Sequence, residues 1–167
     1  MTPRRSQRGN ALVEMTLVGI PLMFVLISTF EIARGMWLYQ TLAYAAGEGV
    51  RYARVHGKNC GTVAFITNTC LTSRQQIALE IRKAGIGLDL AQTTLTFQAG
   101  NSTTTCLLNG CPADVWPPSG ADGIGTPLRI DIVTPFYSAL AMFWPGATPV
   151  SFTRALLSAG ASDRVQF

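Results

Sequence analysis

The sequence predicts an α+β chain: a long amino-terminal transmembrane helix forms a stalk, and it carries a small exported domain of one short helix on a three- or four-stranded antiparallel sheet. Three observations predict it. An apolar run, Ala11 to Phe30, follows three arginines; a proline-free continuation to Gly57 places its charges at helical spacing; and the second half of the chain contains segments that alternate apolar and polar residues. Composition agrees, since only 13% of the 167 residues are charged and 48% are hydrophobic, against about 25% charged in an ordinary soluble domain. The expected organisation is a basic leader over residues 1–9, a transmembrane and stalk helix over 10–57, and an α+β domain over 58–167.

The apolar run reads ALVEMTLVGIPLMFVLISTF, twenty residues, and at about 1.5 Å each it matches a hydrocarbon core of about 30 Å. Arg4, Arg5 and Arg8 precede it, and the next basic residue is Arg34. Positive residues in a short flank stay cytoplasmic, so the amino terminus is expected inside and everything beyond Phe30 outside, which in a bacterium is the periplasm. A removable signal peptide has a similar start, but its apolar core runs about 7 to 15 residues and ends in a small-residue cleavage site. Here the run passes into Glu31-Ile32-Ala33-Arg34 without a turn. Within the span, Glu14 is the anomaly, because a carboxylate in a spanning helix costs roughly 2.5 to 3.5 kcal/mol without a partner. Its place within a turn of the helix start, facing the positive end of the helix dipole, lessens that cost. Pro21 removes a backbone donor and is expected to kink the span near Gly19.

From Glu31 to Gly57 the helix is expected to continue. Glu31 with Arg34 and Glu48 with Arg51 are three apart, so each pair shares a face and adds about 0.2 to 0.5 kcal/mol. The small residues Ala43, Ala45, Ala46, Gly47, Gly49 and Ala53 would let another helix approach closely. A continuous helix from Asn10 to Val55 would be about 69 Å long.

Beyond His56-Gly57 the chain becomes rich in Thr, Asn, Gly and Cys. Four cysteines in an exported domain read as two disulfides. Three connectivities are possible, and the short spacings favour Cys60 with Cys70 and Cys106 with Cys111. Ser73 with Gln76 is a capping-box pattern; Ile77, Ala78, Ile81 and Ala84 follow at helical spacing, and Gly85, free to take positive φ, suits a cap at the end of that helix. Thr94 to Ala99 and Leu128 to Val133 alternate as half-buried strands, and Val150 to Leu157 is a third candidate. The stretch Gly100 to Pro127, rich in Gly and Pro, reads as a long stapled loop. Phe136 to Trp144 is apolar but too short to span a bilayer, and is expected either as core or as a patch for a partner or the membrane surface.

No enzyme is legible. His56 is the one imidazole, at the stalk's end, so a nucleophile lacks its usual base, and there is no phosphate-binding glycine loop, HExxH or GxSxG. The cysteine spacings are not those of zinc ligand pairs. Only two of the thirteen cationic residues are lysines and no basic face is clustered, which argues against nucleic acid. No cofactor, metal or small-molecule substrate is expected.

Gly9 follows the basic leader, and Glu14 is the fifth residue counting from Asn10. This resembles the type IV prepilin processing site, in which a membrane prepilin peptidase cuts after the glycine and the glutamate stays in the apolar segment. Arg8-Gly9-Asn10-Ala11-Leu12-Val13-Glu14, Pro21, Glu31 to Arg34 and Ala45-Ala46-Gly47-Glu48-Gly49-Val50-Arg51-Tyr52-Ala53 together resemble the TadE-like pseudopilins, or minor pilins, of tight-adherence (Flp-type) pilus systems. The likeness covers about the first 55 residues. It implies cleavage between Gly9 and Asn10, an assembly role for the Glu14 carboxylate, and a part in initiating or capping a pilus. The implied partners are the inner membrane, the prepilin peptidase, other pseudopilins, the major Flp-type pilin and the inner-membrane platform. The alternative is a membrane-tethered domain, without pilin processing, that binds a ligand or partner.

Overall fold

The structure, a computed structural model, describes residues 7–56, 71–138 and 154–166, with side chains from residue 11 onward. Helix α1 runs from Gln7 to Arg54, 48 residues with Pro21 inside it, a rise of about 72 Å. It therefore starts three residues ahead of the expected Asn10 and runs on through Pro21; Glu14 then lies about two turns in rather than within the first turn, where the helix dipole no longer offsets its cost. Its far end is closed by His56, whose Nδ1–H donates to the Tyr52 carbonyl at 2.6 Å while its ring lies 4.2 Å from that of Tyr52. An imidazole there satisfies one of the carbonyls that the last turn leaves without a partner.

Helix α2, Arg74–Ala84, begins with the expected capping box. Ser73 Oγ accepts from the Gln76 N–H, and Gln76 Oε1 accepts from the Ser73 N–H. Ile77, Ala78 and Ile81 form its buried face. The helix stops at Gly85, but not by a left-handed residue: Gly85 has φ −90°, and the positive φ falls two residues later at Gly87. Glycine at 85 leaves room, since a Cβ there would lie 2.5 Å from Leu88 Cδ1 and 3.0 Å from the Ile81 carbonyl oxygen.

Four antiparallel strands form one sheet in the order β2-β1-β3-β4, with β1 Thr94–Ala99, β2 Ser102–Leu107, β3 Pro127–Phe136 and β4 Ala155–Arg164. Strand β1 has the expected bounds, and β3 contains the expected Leu128 to Val133. Two expectations are corrected. Gly100 to Pro127 is not all loop, since Ser102–Leu107 pairs with β1 across a two-residue turn, Gly100-Asn101, with Gly100 at φ 54°; three consecutive threonines make a strand through β-branching rather than apolar alternation. The third strand lies further along than Val150 to Leu157. It starts at Ala155 and reaches Arg164, and residues 150–153 lie outside the described residues. Its inward positions Ala159 and Ala161 are small because α1 crosses β4, so the strand lacks the bulky alternation that marks β1.

One face of the sheet is buried. Leu95, Phe97, Ala99, Leu128, Ile130 and Ile132 meet Leu42, Ala45, Ala46, Val50 and Ala53 of α1 and the inner face of α2. The remaining loop, residues 108–126, is held at several points. Cys106 and Cys111 form a disulfide, Val115 bridges Ser73, the Arg74 guanidinium grips Asp114, and Trp116 is buried against Phe97 with ring centroids 5.3 Å apart. Cys60 and Cys70 lie outside the described residues, as do positions 139–144 of the apolar segment Phe136 to Trp144.

Candidate functional site

The feature that distinguishes this chain is α1, and its two halves present different chemistry. Between Ala11 and Phe30 bulky apolar side chains point outward all around the helix: Leu12, Met15, Leu17, Val18, Leu22, Val25 and Phe30 are all exposed. A soluble protein does not leave such an apolar surface to water, and α1 is long and apolar enough to cross a membrane. Glu14 is exposed within this apolar surface. The Gly9–Asn10 peptide lies in the first turn of α1.

Above Phe30 one stripe of the helix turns inward at intervals of three and four: Glu31, Gly35, Leu38, Leu42, Ala45, Gly49 and Ala53. That spacing keeps one face of a helix on its neighbour. At Gly49 a Cβ would fall 2.7 Å from Ile81 Cγ1, so the helix that the small residues admit is the chain's own α2. Ala45, Ala46 and Ala53 are fully buried in the core, while Gly47 faces open space.

The charged residues of the upper half tie the helix to the domain. Glu31 and Arg34 lie 3.6 Å apart, and Glu48 and Arg51 3.2 Å apart. Arg34 does more than pair with Glu31. Its guanidinium donates to the Tyr137 carbonyl and sits over the Phe136 ring, 4.6 Å from the centroid. Arg54 donates to Asp163 Oδ2 at 2.9 Å, and its carbonyl accepts from the Gln166 N–H. The Asp163 carboxyl is held below its ordinary range by the Arg164 backbone N–H and then by Arg54; that of Asp114 is held low by Arg74. The Arg34 and Arg54 contacts join residues more than a hundred positions apart, and no local spacing in the sequence signals them.

Across the upper half, α1 and α2 flank an open groove lined by Tyr44, Glu48, Arg51, Tyr52, Glu80 and Lys83. Each of its cations is paired to an acid one turn away. Among the described residues no three His, Cys, Asp or Glu side chains come together as a metal site.

Residues 9–51 match the family model of TadE-like proteins. The matched stretch takes in the Gly9–Asn10 peptide, Glu14, Pro21, the whole exposed apolar half and the inward stripe as far as Arg51. No curated protein and no solved structure matches the chain. The N-terminal region is thus TadE-like, joined to a domain with a four-stranded antiparallel sheet, and the long apolar helix is consistent with a membrane anchor of a pilin-like protein.

Proposed function

We propose that this chain is a minor pilin of the tight-adherence type, anchored in the bacterial inner membrane by Ala11 to Phe30, and that it takes part in initiating or capping a pilus. The observation that carries the reading is the exposed apolar half of α1 lying wholly inside the TadE-like stretch. In this reading the amino terminus is cytoplasmic and the sheet domain periplasmic. A prepilin peptidase cuts between Gly9 and Asn10 and leaves a new amino group at the membrane surface. The Glu14 carboxylate of a neighbouring subunit pairs with that amino group during assembly, which offsets the cost of a buried charge. The partners are then the other pseudopilins, the major Flp-type pilin and the inner-membrane platform.

The test is the intact mass and amino-terminal sequence of the membrane-extracted protein, expressed with and without a cognate prepilin peptidase. A chain that begins at Asn10 only when the peptidase is present supports pilin-type processing. One that still begins at Met1 removes that step and favours a membrane-tethered binding domain.

A further inference from the structure

The end of the sheet domain nearest the apolar half of α1 has an unusual surface. Phe136 at the end of β3 packs against Gly35, where a Cβ would lie 3.7 Å from its ring, so the lower rim of the domain lies level with Arg34 and Gly35. Gly35 is five residues past Phe30, a rise of about 7.5 Å. The headgroup layer of one leaflet is about 5 to 8 Å thick, half the difference between a whole bilayer and its hydrocarbon core. If Phe30 marks the edge of the hydrocarbon, the rim of the domain falls within the headgroups.

The residues displayed around that level suit such a layer. The Trp37 Cα stands about 10.5 Å past Phe30, but helical side chains lean toward the amino terminus, and Trp37 lines one pocket with Arg34, Gly87, Phe136 and Tyr137. Trp37 is 54% exposed and lies against Gly87; beside it Ile86 is 72% exposed, and Tyr137 is 49% exposed. Trp and Tyr concentrate at membrane interfaces, where an amphipathic ring meets both apolar and polar surroundings. Arg34, with over half of its side chain exposed despite its contacts, and exposed Arg154, beside the start of β4, supply cationic donors. Glu31, the acid at this level of α1, is paired with Arg34.

We propose that this rim is a lipid-seating collar: Trp37, Ile86 and Tyr137 rest in the headgroup layer of the membrane that α1 crosses, with Arg34 and Arg154 against lipid phosphates. The inference rests on the reading of α1 as a membrane anchor. The domain is then held upright on the bilayer surface rather than carried clear of it on a stalk.

The experiment uses the full chain reconstituted in phosphatidylcholine vesicles containing phosphatidylglycerol and nitroxide-labelled lipid, with the label either at the headgroup or deep in the acyl chain. Subtracting the fluorescence of Trp37→Phe from that of the parent isolates Trp37, and Ile86→Trp adds a second probe at an exposed site. Retention through an alkaline carbonate wash reports the anchor separately. The expected result is loss of most of the Trp37 intensity with the headgroup label and little loss with the deep one, with the same order for the added tryptophan at 86. A chain that survives the wash while neither probe is quenched overturns the collar and leaves the anchor standing. Stronger quenching by the deep label also overturns it, since the rim would then lie in hydrocarbon. A chain lost in the wash removes anchor and collar together.

Discussion

The lower and upper halves of α1 belong to one uninterrupted helix, yet they solve opposite problems. Below Phe30 the side chains are large and face outward on every side, so the helix has no inner face. Above it a single stripe turns inward, in which Leu38 and Leu42 give way to Ala45, Gly49 and Ala53, and its neighbours come to within van der Waals contact. Bulk serves a helix whose surroundings are fluid and adapt to it, whereas small residues serve a helix whose neighbours are folded protein and must fit. Residue size along α1, more than hydrophobicity alone, marks where one environment gives way to the other.

The contrast is broken most severely in the core. Phe97→Ala removes a fully buried ring that supports Trp116, and is expected to lower domain stability by about 3–5 kcal/mol. Phe30→Ala, at a 78% exposed position, should leave the unfolding transition of the domain almost unchanged. Denaturant melts followed by near-ultraviolet circular dichroism would compare them, and equal losses would contradict the division of the helix.

A sharper comparison uses two glycines two residues apart. Gly49→Val drives a branched side chain into Ile81 and is expected to cost about 1–3 kcal/mol or more by overpacking. Gly47→Ala meets nothing within 4 Å, so the gain in helix propensity should stabilise the protein by up to about 1 kcal/mol. Opposite signs in the same melting assay are the expected outcome. In the lower half, Glu14→Ala should leave the chain inserted in the membrane, as carbonate extraction would report, but abolish its co-purification with pilus components. Normal pilus assembly by that variant would remove the assembly role from Glu14.

The smallest effect is expected from pH. The folded state holds the carboxyls of Asp114 and Asp163 below their ordinary values. Each therefore contributes stability that is fully present above the unfolded value of about 3.9 and is lost as pH falls through the lower folded value. Both side chains are substantially exposed, so solvent screening keeps the contribution small. Asp114→Asn should lower stability slightly at neutral pH, where that contribution is present, and leave it nearly unchanged at pH 2, so the acid limb flattens, as melts between pH 2 and pH 7 would reveal.

What the sequence made legible follows the same division by physical cause. Features written locally were readable: the Ser73–Gln76 capping box, the alternation of Leu95 and Phe97 in β1, the short cysteine spacing at 106 and 111, and the apolar run with its one acid. Features written in the fit between distant segments were not. Strand β2 hides behind threonines, and β4 is built on alanines. Gly160 in β4 looks like a turn residue until its neighbour is considered, because a Cβ there would collide with the Asp131 carboxylate that pairs with Arg129. The role of Arg34 was half visible: its partner one turn back could be read from spacing, but not its hold on Tyr137 and Phe136.

Arg54, at the last turn of α1, is bound through its side chain to Asp163 and through its carbonyl to Gln166, while the same helix runs through the centre of the core. The tether and the body it carries are therefore one mechanical unit. A pull along the helix axis meets no slack joint between Leu42 and Arg54; it loads the packed alanine stripe and, through Arg54, the ten-residue pairing of β4 with β3. Such a joint yields by unfolding rather than by stretching, so tension applied at the amino-terminal end of α1 is carried into the sheet.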